Sequence, residues 1–345
     1  MQKRQRELSA LTPPTSAEGQ SENRRARSVG VGHAHAKAIV LGEHAVVYGA
    51  PALALPVPQL RVTASVGCSS PSPDGQGDVS LTMTGSASRP VATQASDSLR
   101  RLTDEFRATM GVAERLHLDV ILDCAIPAGR GLGSSAACAR AVVFALADLF
   151  GREVTQSMAF DLVQTAESVA HGRASGVDAT AVGACAPLLF QEGEAQELPI
   201  DCDGLFIIAD SGVMGRTKDA VELLREGFLR HSGARERFVR RATELTDEAR
   251  HALADDRPEE LGRRLTDYHE LLRAAGLSTD RIDALVAAAL TAGSFGAKIT
   301  GGGMGGCVIA LTRAEQAREV TRQLREAGAV QTWAVPLRGR VEHAL

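Results

Sequence analysis

The amino-acid sequence predicts an α/β (α+β) protein with two lobes. Before about residue 200, apolar residues alternate with a period of two in several segments, which is typical of strands, whereas helical periodicity dominates afterwards. The chain has 345 residues, of which 44% are hydrophobic, so it is long enough for two domains with buried cores. We expect an N-terminal domain over residues 29–200, a C-terminal domain over 201–345, and an active site in the cleft between them.

The predicted N-terminal domain combines strands and helices. Period-two alternation predicts strands at three places: 36–41, 53–66 and 116–122. Residues 68–94 are dense in Ser, Gly, Pro and Asp and are predicted to form a loop, which an amphipathic helix near 96–110 follows. Two further helices are predicted over 134–150, where Gly151 provides a stop, and over about 155–170.

The predicted C-terminal domain is richer in helix. Short strands are expected around the domain boundary, at 186–190 and 204–209, and four helical stretches follow within about 217–292. The remaining chain is predicted to form a strand, a glycine loop, a strand, a helix and a last strand. Residues 1–28 are polar and offer little apolar surface to bury, so they are expected to form a disordered tail.

Charge and hydropathy exclude several classes of function. The formal net charge is −4 and the pI is about 6.2, so the chain lacks the basic excess that nucleic-acid binding requires. No stretch approaches the roughly 18 apolar residues that span a bilayer, and the first residues contain no apolar signal-peptide core. We expect a cytoplasmic protein that binds neither nucleic acid nor membranes.

Cysteine and histidine spacing argues against a structural metal site. The six cysteines form no C-x-x-C pair and most lie in apolar runs, which is typical of reduced, buried thiols. The nine histidines lack the spacing of zinc ligands, so no zinc site is expected.

The strongest motif is the glycine-rich segment 127–137, with the sequence PAGRGLGSSAA. Glycines allow the backbone to wrap around an anion, and a helix that begins at Ser134 adds the positive end of its dipole. The segment lacks the lysine of a Walker loop, and no acidic strand end follows at the distance a dinucleotide fold needs. It predicts a phosphate-binding loop; the alternative is a glycine-rich helix start without a ligand.

A second glycine cluster occupies 298–307, with the sequence KITGGGMGGC, and runs into an apolar strand. Such a run is favoured where a ligand or another backbone lies against it. Because a strand follows instead of a helix, the cluster does not fit a Rossmann motif. The alternative interpretation is a flexible hairpin.

The third segment, 35–49, places Lys37 on an alternating apolar strand and Glu43 and His44 at its end. A buried ammonium group is costly unless a carboxylate or phosphate pairs with it. Only four lysines accompany 34 arginines, and Lys37, Lys218 and Lys298 all lie in or beside the segments singled out here. For Glu43 and His44 the alternative is a structural hydrogen bond behind the loop.

In this order and at these separations, the three segments resemble the signature motifs of the GHMP kinases, over about residues 29–335. The resemblance implies a ribosomal-protein-S5-like N-terminal domain and a ferredoxin-like C-terminal domain. The stretches GEHAVVYG at 42–49 and IADSGVMGRTKDAV at 208–221 are similar to the mevalonate kinases of this family. A fourth block at 167–178 matches the stretch that carries a magnesium-binding glutamate and a proton-accepting aspartate, here Glu167 and Asp178.

The resemblance implies ATP and Mg²⁺ as cofactors and a role for each matched residue. Asp178 orients the substrate hydroxyl and accepts its proton, Lys37 pairs with Asp178 and the γ-phosphate, and Ser135 and Glu167 hold the metal. The acceptor, mevalonate, is expected to contact Glu43, His44, Thr217, Gly302 and Gly303, and Thr217 is also a candidate N-cap. The residues expected to bind the nucleotide are Pro127, Gly129, Arg130, Gly131, Leu132, Gly133, Ser134, Ser135, Ala136 and Ala137.

Some alternatives stay open. The sequence departs from the family at His35-Ala36, Ala174 and Met304, and a side chain at Met304 raises the question of a narrower pocket. Another GHMP kinase, such as a phosphomevalonate or sugar kinase, would share the catalytic parts, and a phosphorylated substrate would draw on Arg173, Arg216 and Lys218. A non-catalytic ligand sensor on the same fold is a third reading, although both acidic residues are present. The oligomeric state is open, with a homodimer as one option.

Overall fold

The computed structural model describes residues 28–69, 79–85, 89–112, 116–171, 174–198, 200 and 202–338. The tail predicted over 1–28 therefore lies outside the described residues except for Ser28. Among the residues described, no helix is long and apolar enough to cross a membrane.

The first sheet has six strands and carries the N-terminal half of the chain. Its strands are β1 (Val29–Leu41), β2 (Ala52–Ser69), β3 (Val79–Gly85), β4 (His117–Cys124), β5 (Leu188–Gln191) and β6 (Glu194–Glu197). The order is β3-β4-β2-β5-β6, and β1 pairs with the long strand β2. The helices of this half are α1 (Arg89–Met110), α2 (Ser134–Phe150), α3 (Gln156–His171) and α4 (Val177–Ala181).

The prediction of a loop over 68–94 is wrong in its centre. Strand β3 pairs in parallel with β4, and α1 begins at Arg89. Val79, Leu81 and Met83 alternate with exposed residues along β3, and their side chains are buried or half-buried. The polar and glycine-rich residues around them made this alternation hard to detect in the sequence. The tertiary contact with β4 stabilises a strand that the local composition disfavours.

The second sheet has four antiparallel strands in the order β10-β7-β9-β8. They are β7 (Leu205–Asp210), β8 (Gly296–Thr300), β9 (Cys307–Thr312) and β10 (Gln331–Pro336). Its helices are α5 (Thr217–Arg230), α6 (Ala234–Ala254), α7 (Pro258–Ala274), α8 (Asp280–Thr291) and α9 (Ala317–Glu326). The four predicted helical stretches and the final strand, loop, strand, helix, strand order are confirmed. The boundary at residue 200 stays a prediction.

Helix α2 is held tightly against β1. A Cβ on Gly32 would lie 2.1 Å from the Ala141 carbonyl oxygen, and one on Gly30 would lie 2.1 Å from that of Ala145. Any larger residue at these two positions would push the helix away from the strand. The two glycines therefore allow the middle of α2 to lie close to β1, and the glycine-rich segment 127–133 leads into this helix.

Candidate active site

A cavity of about 570 Å³ lies between the two sheets. Lys37, Glu167 and Asp178 reach it from the N-terminal half, and Thr217 and Gly302 from the C-terminal half. Most of the residues that the sequence singled out therefore meet in one place, as expected for a cleft between lobes.

The glycine loop and the first turn of α2 form one wall of this cavity. Gly129, Gly131 and Gly133 have φ angles of 66°, 78° and 72°, a left-handed conformation that favours glycine. A Cβ on Gly131 would lie 2.7 Å from the Thr300 carbonyl oxygen, so the second glycine cluster packs against the first. Ser134 and Ser135 line the cavity at the start of α2, where the helix dipole favours an anion.

Five of the predicted nucleotide-binding residues do not line the cavity with their side chains. They are Pro127, Arg130, Leu132, Ala136 and Ala137. The Arg130 guanidinium turns away to pair with Asp210 at 2.9 Å and donates to the Gly212 carbonyl oxygen at 3.0 Å. Leu132, Ala136 and Ala137 are buried in the core. These side chains do not face the cavity, so any contact of these residues with a nucleotide would be made by their backbone atoms. That contact stays a prediction.

Lys37 and Asp178 form the ion pair predicted for them. Their Nζ and Oδ1 atoms are 2.8 Å apart, and the Lys37 side chain is 2% exposed whereas that of Asp178 is 36% exposed. Lys37 Nζ also donates to the Gly131 carbonyl oxygen at 3.2 Å. Asp178 lies in the first turn of α4. One ammonium group thus connects β1, α4 and the phosphate-binding loop.

The oxygen ligands around the cavity fit a nucleotide-bound magnesium ion. Glu167 on α3 is buried and lines the cavity together with Ser135 and Asp178. Within the part of the chain that the structure describes, no three His, Cys, Asp or Glu residues cluster as a metal site. Mg²⁺ is usually held by one or two carboxylates and the phosphates of a substrate, so this set suits Mg²⁺ delivered with a nucleotide.

A corner at the end of β1 brings Glu43 and His44 to the cavity. Gly42 has a φ angle of 102°, and a Cβ there would lie 2.4 Å from the Pro51 carbonyl oxygen. The Glu43 carboxylate forms an ion pair with Lys298 of β8, and both side chains are almost fully buried. The Tyr268 hydroxyl donates to the Glu43 carbonyl oxygen at 3.0 Å, and its ring centroid lies 5.4 Å from Lys298 Nζ. Glu43 therefore has the structural partner that the alternative interpretation described, and its contact with the acceptor stays a prediction.

The electrostatics of this corner keep His44 neutral. Burial, reinforced by the nearby Lys298 charge, lowers the pKa of His44 to about 4. Burial also raises the pKa of Glu43 and lowers that of Lys298, although each partner opposes the shift of the other. His44 Nε2 is buried and has no hydrogen-bond partner among the described residues. It is available to a ligand in the cavity.

Thr217 and the second glycine cluster meet closely. A Cβ on Gly302 would lie 1.9 Å from Thr217 Oγ1, and the Arg216 amide donates to the Gly303 carbonyl oxygen at 3.2 Å. Helix α5 begins at Thr217 itself, and Arg216 occupies the N-cap position, so the N-cap interpretation of Thr217 is wrong. Gly303 does not line the cavity, but a Cβ there would lie 3.4 Å from His44 Nε2.

Two methionines lie near the glycine loops, and only one of them lines the cavity. Met304, with a φ angle of 57°, packs its side chain against the hydrophobic core and does not line the cavity. Met214, which lies in the stretch 208–221 but was given no role there, lines the cavity beside Gly129, where a Cβ would lie 2.5 Å from Met214 Cγ. Met304 therefore does not narrow the pocket, whereas Met214 limits the space at the phosphate-binding loop.

The structure also adds residues that the motifs did not assign to the site. Lys298 and Tyr268 support the Glu43 corner, and the shortage of lysines in the sequence was the available signal for the first of them. Arg216 and Lys218 line the cavity, and Arg216 pairs with Asp219 at 3.5 Å. Arg173, the third candidate cation, lies outside the described residues.

Comparisons with known proteins identify the family. The GHMP kinases N terminal domain matches residues 97–185, and the GHMP kinases C terminal region matches 249–330. The chain is 32% identical over 317 residues to a mevalonate kinase of Pyrococcus horikoshii, and the match covers 86% of this chain and 92% of that relative. It is also 32% identical over 289 residues to one of Aeropyrum pernix, covering 80% and 86% of the two chains.

A solved structure is similar in fold. The crystal structure of L. major mevalonate kinase in complex with R-mevalonate has a TM-score of 0.77 and 22% sequence identity, and the match covers 90% of this chain and 97% of that one. The predicted two-domain GHMP kinase fold is confirmed. The chain belongs to the GHMP kinases, within the group of the mevalonate kinases.

Proposed function

We propose that this chain transfers the γ-phosphoryl group of ATP to the primary hydroxyl of mevalonate, giving 5-phosphomevalonate. GHMP kinases use ATP, and the relatives of this chain are named mevalonate kinases. The observation that carries the proposal is the ion pair between buried Lys37 and partly exposed Asp178, which lies in the same cavity as the glycine loop and the start of α2.

Asp178 receives the substrate hydroxyl. Its carboxylate is held by Lys37 and is partly exposed to the cavity, so it orients the hydroxyl and accepts its proton as the phosphoryl group is transferred. Lys37 neutralises charge at the transferred phosphoryl group and keeps Asp178 in place. Transfer through a loose transition state requires mainly such positioning and charge neutralisation.

Ser135 and Glu167 would hold Mg²⁺, and the glycine loop would bind the phosphates. The ion would supply positive charge that offsets the negative charge of the phosphates. Ser134 and the backbone of the loop, which is left-handed at Gly129, Gly131 and Gly133, would contact the triphosphate at the positive end of α2.

The acceptor pocket lies at the Glu43 corner. Neutral His44, with its available Nε2 atom, would form a hydrogen bond with the acceptor, and Thr217 would contribute its hydroxyl. Gly302 keeps the wall of the pocket close to Thr217 because a Cβ there would collide with that side chain.

A phosphorylated acceptor is the second candidate. Arg216 and Lys218 both line the cavity and would pair with a substrate phosphate. Because Arg216 is already paired with Asp219, the structure offers less unpaired positive charge than a dedicated phosphate site would need.

An acceptor panel tests the proposal. Purified protein with MgATP is incubated with mevalonate, phosphomevalonate, galactose or homoserine, and ADP release is followed. We expect kcat/KM for mevalonate to exceed that of each other acceptor by roughly a hundredfold or more. Preferred turnover of phosphomevalonate would favour the second candidate, and no turnover of any acceptor would favour a ligand sensor.

A further inference from the structure

Two cysteines lie side by side beneath the phosphate-binding loop. Cys124 is the last residue of β4 and Cys138 lies in the second turn of α2. The Cys138 thiol donates to Cys124 Sγ at a distance of 3.9 Å. Both residues line the cavity, although they are only 1% and 8% exposed.

Their positions in the chain give this contact a consequence. Cys124 and Cys138 flank residues 125–137, which include the whole glycine loop and Ser134 and Ser135. The segment leaves β4 beside one thiol and enters α2 beside the other. A covalent link between the two sulfur atoms would therefore close a ring around the nucleotide-binding segment.

Such a link would also move the loop. The sulfur atoms of a disulfide are about 2.05 Å apart, so the two thiols must approach each other by nearly 2 Å. Strand β4 is held by its ladder with β2, and α2 is held by the close contact of Gly30 and Gly32. The start of α2 and the glycine loop are left to absorb the change.

We propose that Cys124 and Cys138 form an oxidation site whose disulfide distorts the glycine loop and weakens ATP binding. The oxidant is a peroxide, which reaches the thiols through the cavity. The Cys124 thiolate attacks the O–O bond of hydrogen peroxide, gives a sulfenic acid and releases one hydroxide, which takes up a proton to become water. Cys138 then attacks this sulfur while its thiol proton passes to the departing hydroxide, so that the S–S bond forms and a second water leaves.

The local hydrogen bond supports this order of events. The thiol of Cys138 donates to Cys124 and so lowers the pKa of Cys124, whereas the same hydrogen bond and then burial raise the pKa of Cys138. The first nucleophile is therefore Cys124. In total two S–H bonds and one O–O bond break, one S–S bond and two O–H bonds form, and the peroxide takes up two electrons.

Peptide analysis tests the link directly and does not depend on the acceptor. The protein is treated with hydrogen peroxide, blocked with an alkylating reagent and digested with trypsin. Cleavage after Arg130 places Cys124 in peptide 116–130 and Cys138 in peptide 131–140, so a disulfide appears as a linked pair that dithiothreitol separates. We expect this pair in the wild-type protein and its absence in Cys138→Ala and Cys124→Ser.

Nucleotide binding supplies the second readout. We expect oxidation to raise the Kd for MgATP by roughly tenfold or more, and dithiothreitol to restore it. By thermodynamic reciprocity, saturating MgATP should shift the thiol–disulfide equilibrium of this pair, measured in a dithiothreitol redox buffer, towards the dithiol by a similar factor. Cys68→Ser is the matched control because Cys68 is exposed and remote in sequence from the loop, and this variant should respond as the wild type does.

Three results would overturn the proposal. The first is that peroxide treatment gives no linked peptides. The second is that it weakens MgATP binding equally in the wild type and in Cys138→Ala. The third is a linked pair with unchanged MgATP affinity. Because the proposal rests on the proposed function only for ATP binding, a chain that links its peptides but fails to phosphorylate mevalonate would overturn the acceptor assignment alone.

Discussion

Lys298 in β8 forms a buried ion pair with Glu43, which directly follows the β1 corner, so the pair joins the two sheets at the cavity. Next to it, Thr300 Oγ1 donates to the Ile39 carbonyl oxygen at 2.9 Å and accepts from the Ile39 amide at 3.0 Å. The two halves of the chain are thus connected by polar contacts that water does not reach. The acceptor pocket proposed above depends on this junction.

Removing one partner of this pair should destabilise the protein strongly. Lys298→Met leaves the Glu43 carboxylate buried without its cation, which typically costs about 3 to 5 kcal/mol of unfolding free energy. Denaturant unfolding of the variant measures this loss. The double variant Glu43→Gln, Lys298→Met should lose less than the sum of the two single variants, because neither charge remains.

An exposed pair provides the control for that measurement. Arg313 and Glu259 form an ion pair with both side chains more than half exposed, so Arg313→Met should change stability far less than Lys298→Met does. If the two variants lost the same unfolding free energy, burial of the Glu43–Lys298 pair would not account for its contribution to stability.

His44 should make stability depend on pH. Its pKa is about 4 in the folded protein against 6.5 in the unfolded chain, so the unfolded state binds a proton first as the pH falls. The contribution of His44 is therefore complete above pH 6.5 and is lost as the pH falls towards 4, by up to roughly 3 kcal/mol. Unfolding free energies measured between pH 4 and 7 test this.

The variant that suits this test is His44→Asn. Asparagine tolerates the left-handed φ angle of 64° at this position and does not titrate, so its stability should fall less steeply between pH 6.5 and 4. Exposed His33, replaced by Gln, serves as the control for the loss of one histidine. An unaltered slope in His44→Asn would assign the pH dependence to other groups.

Asp178→Asn should abolish most of the activity and leave nucleotide binding intact. The substitution keeps the shape of the side chain but removes the charge that orients the hydroxyl and accepts its proton, so we expect kcat to fall by roughly a thousandfold. Initial rates with mevalonate and a separate MgATP titration measure the two effects. Asp219 is another aspartate that lines the cavity, and Asp219→Asn should keep activity near the wild-type level. If Asp178→Asn lost as little activity as this control, Asp178 would have no role in the mechanism.

Ser135→Ala and Glu167→Gln should each raise the magnesium concentration needed for half-maximal rate. Each variant removes one oxygen ligand from a set in which protein ligands are few, so the remaining affinity depends more on the nucleotide phosphates. A magnesium titration at saturating ATP measures the change. Ser175→Ala is the control, because Ser175 lines the same cavity beside α4, and its magnesium titration curve should match that of the wild type. If the curves of Ser135→Ala and Glu167→Gln coincide with that of Ser175→Ala, the metal lies elsewhere.

Local patterns predicted much of the fold. The glycine loops and the alternating strands were visible in the sequence because a few neighbouring residues determine them, and the helix start at Ser134 follows from the loop before it. Strand β3 was not visible, because its stability comes from parallel pairing with β4 rather than from its own composition.

Contacts between distant residues were beyond local patterns. Lys37 and Asp178 are 141 positions apart, and their pairing was expected from the family resemblance rather than from either residue alone. Glu43 and Lys298 both lie in segments that the sequence singled out, but nothing in those segments predicted that the two side chains pair. The contact of Cys124 with Cys138 had no signal at all, because each cysteine lies among apolar or small residues. Tertiary packing decides which of these side chains meet.

Thr217 provides the sharpest test of the acceptor pocket, because the chain offers a conservative replacement. If its hydroxyl binds the acceptor, Thr217→Ala should raise the KM for mevalonate by about tenfold to a hundredfold, which corresponds to the roughly 1 to 3 kcal/mol cost of leaving a buried partner unpaired. The KM for ATP should change much less, since this contact is remote from the γ-phosphate. Thr217→Ser keeps the hydroxyl and removes one methyl group beside Gly302, so its KM for mevalonate should stay near that of the wild type. A larger increase in the KM for ATP than in the KM for mevalonate would place Thr217 on the nucleotide side. Equal increases in the KM for mevalonate in the Ala and Ser variants would mean that the methyl group, by packing against Gly302, matters more than the hydroxyl.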